Sequence, residues 1–96
     1  MDLLITYDVG TTTRAGERRL RRVAKICEAY GVRVQKSVFE VVCSNVQRVR
    51  LEHELAAVID PSTDSIRFYQ LPAHALDDVR QMGHALDPAH RSDHVL

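Results

Sequence analysis

Leu3-Leu4-Ile5-Thr6-Tyr7-Asp8-Val9, closed by Gly10, is the stretch that decides the fold. It is short, rich in apolar, β-branched and aromatic residues, and stopped by a glycine, which is the pattern of a strand. Leu3, Ile5, Tyr7 and Val9 share one face at a period of two, and Leu4 keeps part of the other face apolar. Such a strand belongs in the middle of a sheet, covered on at least one side. Asp8 stands at its carboxyl end, where side chains leave the sheet for solvent or a ligand.

Outward from this strand, Gly10-Thr11-Thr12-Thr13-Arg14-Ala15-Gly16 is a polar loop whose threonine hydroxyls can cap a helix or meet a phosphate. From Glu17 to Tyr30, the residues Leu20, Val23, Ala24, Cys27 and Tyr30 recur at spacings of three and four, which predicts a helix with one apolar stripe. Gly31 reads as its stop. Arg18, Arg21, Arg22 and Lys25 fall off the stripe, so the free side of this helix is basic. Val32 to Cys43 is β-prone but long for one strand, and a reversal is expected near Gln35-Lys36-Ser37-Val38. Ser44-Asn45-Val46-Gln47 matches a capping box and opens a second helix to about Ile59, with Leu51, Leu55, Val58 and Ile59 inward. After the turn Asp60-Pro61-Ser62-Thr63-Asp64, Ser65 to Leu71 is a further strand, and Val79 to Met82 a short extra one before Gly83. The order β-α-β-β-α-β is a ferredoxin-like α+β arrangement, an antiparallel sheet with both helices on one face. Residues 1–83 form the domain, and residues 84–96 are expected to be a flexible tail.

With 96 residues, of which 45% are hydrophobic and 27% charged, the chain has room for one core and is not of disordered composition. No long apolar run opens it, so neither a signal peptide nor a membrane span is expected, and the cytoplasm is the expected compartment. Cys27 and Cys43 lie in apolar surroundings without a CxxC pair, as buried free thiols do.

The net charge of zero hides an asymmetry. Residues 14–36 hold eight basic side chains against two acidic ones, while the rest of the chain is acidic on balance. A local excess of this kind suits a polyanion-binding face. It also suits a solvated helix, and charge alone does not separate the two. An RNA-recognition motif is excluded, because Lys36-Ser37-Val38-Phe39-Glu40-Val41-Val42-Cys43 has Val38 and Glu40 where stacking rings are required. His90 and His94 are four apart, but Pro88, Ser92 and Asp93 argue against the helix that ligation would need.

Asp8 is the one strand-end acid beside the basic loop and helix. As a turn or cap residue it would be unremarked. One carboxylate makes a poor metal site, yet a two-fold dimer brings a second copy of it close. Two carboxylates so placed either share a proton or hold a hard cation such as Mg²⁺. A metal there could polarise a phosphate and activate water.

Taken together, Tyr7-Asp8-Val9, Gly16, Arg19-Leu20-Arg21-Arg22-Val23-Ala24-Lys25, Cys27, Tyr30-Gly31, Arg33-Val34-Gln35, Ser37-Val38-Phe39-Glu40 and Asp64-Ser65-Ile66-Arg67-Phe68-Tyr69 resemble the CRISPR-associated Cas2 family of spacer acquisition, closest to its type I-C branch. The resemblance implies a ferredoxin-like homodimer in which the strand near Val79–Met82 pairs with the partner's sheet. It implies Asp8 as the metal ligand and catalytic residue of an endonuclease acting on RNA or duplex DNA. It further implies DNA scaffolding between integrase dimers of the Cas1 type, with Arg14, Arg18, Arg19 and Arg22 on the backbone. Tyr7, Gln35, Ser37, Phe39, Val79 and Met82 are then expected at the dimer interface. Two other readings share the fold: a toxin ribonuclease similar to the VapD family, and a regulatory dimer that binds a small metabolite.

Overall fold

A computed structural model describes residues 1–84 of the chain. Strand β1 (Asp2–Asp8) is followed by helix α1 (Arg14–Tyr30), strands β2 (Gly31–Gln35) and β3 (Val38–Val42), helix α2 (Asn45–Ala56) and strand β4 (Ser65–Leu71). The sheet order is β2-β3-β1-β4 and every pairing is antiparallel. β1 is therefore central, flanked by β3 and β4, as its apolar pattern requires. Leu3, Ile5, Tyr7 and Val9 are buried, and they meet Phe39 and Val41 of β3, Val23, Ala24 and Cys27 of α1, and Leu51 and Leu55 of α2 in one core. Burying each large apolar side chain contributes about 1.5–3 kcal/mol. That term holds two short-looped helices on one face of four strands.

The helix starts and stops follow local chemistry. Thr13 caps α1, its Oγ1 accepting the N–H of Gly16 at 3.0 Å, so the helix begins three residues before the expected Glu17. Ser44 and Gln47 exchange side-chain and backbone hydrogen bonds at 3.2 and 2.8 Å, forming the expected capping box. α2 ends at Ala56 rather than Ile59, because the N–H groups of Val58 and Ile59 both turn back to Leu55 O.

Two glycines act through space and not through a left-handed turn. A Cβ on Gly16 would lie 1.9 Å from Gly10 O, so only glycine lets α1 press against the loop leaving β1. Gly31 is extended, with φ −156°, and leads straight into β2. A Cβ there would lie 2.3 Å from Glu40 O. The stop of α1 is thus a close strand crossing and not the left-handed glycine cap that its position suggests.

The expected reversal falls at Lys36-Ser37, which join β2 to β3. The β2–β3 register shifts between Arg33 and Gln35, pairing Arg33 with Phe39 and Gln35 with Val38. An extra residue of this kind adds local twist, which closes the hairpin without Gly or Asn. It also sends Arg33 to the helix side and Gln35 to the open side.

Within the single chain, Val79–Met82 forms no strand. After β4 the chain makes a single 3₁₀ turn at Ala75–Asp78, anchored where the buried carboxylate of Asp2 accepts the N–H of Leu76 at 2.9 Å. Residues 79–82 then run unpaired within the single chain, although β4, an end strand of the sheet, keeps its outer edge free. Val79 and Met82 are exposed, Met82 almost completely (95%). His84 is exposed, whereas the rest of the expected tail, with His90 and His94, lies outside the described residues.

Gly16→Ala is expected to lower the unfolding free energy by about 1–3 kcal/mol through the forced overlap with Gly10. Gly10→Ala, whose Cβ would first meet Thr63 Cβ at 3.3 Å, should cost less. Urea denaturation of both variants checks the order.

Candidate nucleic-acid interface and strand-end acid

Asp8 is exposed at the end of β1, paired across the ladder with Ser65. Side chains alternate along a strand, so Asp8, Thr6 and Leu4 face away from the helices while Tyr7 and Ile5 face them. The open face also carries Val38 and Val42 of β3, both half-buried, and Tyr69 of β4, which is 40% exposed. The guanidinium of Arg67 lies 5.3 Å from the Tyr69 ring centre on the same face.

Two networks fix the backbone on either side of Asp8. On one side stands Asp64, whose side chain is wholly buried. Its Oδ2 accepts Arg19 Nε and the Asp60 N–H, each at 2.8 Å, and its Oδ1 accepts the Gly10 N–H and the Thr63 hydroxyl, each at 3.0 Å. The Arg19 guanidinium, joined by these donors, holds the carboxyl well below the usual carboxylate range against the opposing effect of burial. On the other side, the Tyr7 N–H donates to Ser37 O at 3.1 Å and the Tyr7 hydroxyl donates to Lys36 O at 3.3 Å. Arg33 Nη2 donates to that hydroxyl at 3.4 Å, and the Arg33 guanidinium lies 5.3 Å from the centre of the Phe39 ring.

These contacts correct three site expectations. Arg19 is not available for DNA, because its guanidinium is committed to Asp64 and Thr63. Arg14, Arg18 and Arg22 are exposed on α1 as expected. Tyr7 and Phe39 are 6% and 0% exposed, with their rings 6.1 Å apart under α1. Strand alternation points both into the core, so neither offers surface to a second subunit. Gln35 is exposed, Ser37 half-buried, and Val79 and Met82 exposed.

A cavity of about 650 Å³ opens between α1 and the β2–β3 turn, with Asp8 on its lining. Arg21 and Lys25 of α1, Arg33 of β2 and Lys36 of the turn bring four cations to its lining, which also includes Asp8 and Glu28, and Glu28 Oε1 lies 3.8 Å from Arg33 Nη1 as an ion pair. Arg21, Lys25 and Glu28 are spaced by four and three residues, which puts them on one flank of the helix. That spacing was readable in the sequence, whereas the approach of Arg33 and Lys36 depends on the hairpin register. Burial pushes the Cys27 thiol up to about 11, so it is no nucleophile. Among the described residues, no three histidine, cysteine, aspartate or glutamate side chains come together as a metal site. Asp8 alone fits a hard cation only in part: its oxygens are the right donors, but a second carboxylate must come from outside the chain.

Comparison with known proteins places this geometry in a family. A family model described as "CRISPR associated protein Cas2" matches residues 1–79. The "CRISPR-associated endoribonuclease Cas2 1" of Moorella thermoacetica is 47% identical over 83 residues, covering 86% of each chain. The crystal structure of Streptococcus pyogenes Cas2 at pH 6.5 superposes with a TM-score of 0.76 at 49% identity, covering 86% of this chain and all of that one. A chain from a "Partial Cas6-RT-Cas1--Cas2 complex" superposes with a TM-score of 0.62 at 30% identity, covering 84% of this chain and 89% of that one.

Because the folded carboxyl of Asp64 titrates below its unfolded value of about 3.9, its contribution is fully present above about pH 4 and is lost as pH falls towards the folded value. The urea midpoint is therefore expected to fall below pH 4. Asp64→Asn should lower the midpoint at pH 7 and flatten the acid decline. An Asn variant with an undiminished acid decline would put the stabilising charge elsewhere.

Proposed function

This chain belongs to the CRISPR-associated Cas2 family, and on that premise we propose that it is a nucleic-acid-binding homodimer of CRISPR adaptation with metal-dependent endonuclease chemistry centred on Asp8. The observation that carries the reading is the placement of Asp8: exposed, at the carboxyl end of the central strand, and adjoining the most basic surface of the chain. The names of its relatives, endoribonuclease among them, agree with a nuclease. The quoted motifs favour the type I-C-like branch.

The dimer is supported by the open sheet face, where Leu4, Val38, Val42 and Tyr69 are left only partly covered, and by the exposed Val79 and Met82 beyond it. Pairing through that face brings two copies of Asp8 together, which supplies the second carboxylate that one chain lacks. A divalent cation such as Mg²⁺ held between them would polarise a phosphate and lower the pKa of water. The chain's own part is to hold Asp8 in place through the Asp64 and Tyr7 networks and to attract the polyanion through Arg14, Arg18 and Arg22. The Cas1–Cas2 assembly of its structural relative supports an integrase of the Cas1 type as partner, with this dimer as scaffold. Work on cellular DNA fits the cytoplasm, and no described helix is long and apolar enough to cross a membrane. Family membership leaves the toxin and metabolite-dimer readings without a supporting feature of their own.

Asp8→Ala is expected to abolish Mg²⁺-dependent cutting of duplex DNA and single-stranded RNA while leaving DNA binding intact. Arg18→Glu with Arg22→Glu should weaken DNA binding and reduce its salt slope by about two units. Gel-based cleavage and salt-titrated binding on the same preparations check both. Cutting by Asp8→Ala at the wild-type rate would remove Asp8 from the chemistry.

A further inference from the structure

The cavity between α1 and the β2–β3 turn has a composition that general backbone attraction does not require. Its cations are not those of the outward α1 surface at Arg14, Arg18 and Arg22. Arg21 and Lys25 belong to the helix flank that faces the turn, and Arg33 and Lys36 approach from the opposite wall. Arg33 is already ordered by the Tyr7 hydroxyl and the Phe39 ring, so it loses little freedom when it meets a ligand. Between these walls Val9, Leu20 and Ala24 add apolar lining. At about 650 Å³ the space is far larger than an inorganic anion and within the range of small-ligand sites.

We propose that this cavity is a binding site for a terminal nucleoside 5′-phosphate, with the phosphate on Arg21, Lys25 and Lys36 and the nucleoside against the apolar lining. The charge supports a monoester over an internal phosphodiester. Four cations against two carboxylates leave an excess of two positive charges, and a phosphate monoester carries about −1.5 to −2 at neutral pH. The Glu28 carboxylate, held 3.8 Å from Arg33 Nη1, can also accept hydrogen bonds from sugar hydroxyls or base amino groups. Arg33 covers a buried ring and shapes the wall. The site deepens the nucleic-acid reading, and it rests on that reading only for the source of the ligand, a strand end and not a free nucleotide.

The test is equilibrium binding of four probes to the intact dimer: a 5′-phosphorylated single-stranded tetranucleotide, the same tetranucleotide with a 5′-hydroxyl, a free nucleoside 5′-monophosphate, and a long blunt duplex with 5′-hydroxyl ends. The phosphorylated tetranucleotide is expected to saturate the protein and to bind at least tenfold tighter than its 5′-hydroxyl counterpart. Lys25→Glu with Lys36→Glu, both at exposed positions, should weaken it at least tenfold. Arg50→Glu, an exposed charge reversal on α2, should leave it within twofold. A monophosphate that binds tenfold weaker than the phosphorylated tetranucleotide supports the strand end, and one that binds equally well overturns that source in favour of free nucleotide. Absence of saturation, equal affinity for the 5′-hydroxyl probe, or equal weakening by Arg50→Glu would overturn the site. Salt-sensitive duplex binding that survives such a result keeps the broader nucleic-acid reading. Tetranucleotide binding with no duplex binding would overturn duplex DNA as the substrate and keep the site.

Discussion

The burial of the Asp64 carboxylate is the constraint on which the end of the molecule around Asp8 depends. A buried carboxylate is costly unless its oxygens are met by well-placed donors. Here those donors come from three separate segments: Arg19 of α1, Gly10 of the loop leaving β1, and Asp60 and Thr63 of the turn before β4. One side chain thereby ties the first helix, the central strand's exit and the return to the last strand. Asp8 lies two residues before Gly10 and pairs with Ser65, the neighbour of Asp64. The same carboxylate thus holds the chain that follows Asp8 and the strand start that pairs with it.

Close packing completes what that charge begins. Gly16 lets the first turn of α1 lie directly on Gly10, and Gly31 lets the helix run into β2 beneath Glu40. The short α1–β2 junction brings Arg33 back over Phe39, and the shifted hairpin carries Lys36 to the mouth of the cavity. The eight basic residues of segment 14–36 are therefore sorted into three groups by packing. Arg19 is internal, Arg14, Arg18 and Arg22 stand on the open helix surface, and Arg21, Lys25, Arg33 and Lys36 line a concavity.

The sheet's two faces differ in how they use their apolar side chains. The covered face spends its apolar side chains, Tyr7 and Phe39 included, on the core of one chain. The open face keeps Leu4, Val38, Val42 and Tyr69 partly uncovered and presents Asp8 at its rim. Partly uncovered apolar side chains of this kind fit the proposed dimer.

Local patterns determined the element order without help from tertiary contacts. Alternation in residues 3–9, the three-and-four spacing from Leu20 to Tyr30, the Ser44–Gln47 capping box and the β-branched run of β4 each state their structure within a few residues. The exposed strand-end acid and the basic helix were legible for the same reason. What the sequence could not distinguish was which of several like residues would meet a distant partner. Arg19 and Arg18 are adjacent and chemically identical, and only the arrival of Asp64, 45 residues away, makes one a structural ion pair. Tyr7 and Phe39, which the resemblance put at the interface, are turned inward by the parity of β1 and β3. Val79–Met82 has strand-forming residues yet stays unpaired in the single chain, although β4 keeps an edge free, and a strand exists only when its backbone finds a pairing partner. Periodicity is a property of neighbours in sequence, whereas pairing, register and burial belong to residues far apart, and only the folded chain decides them.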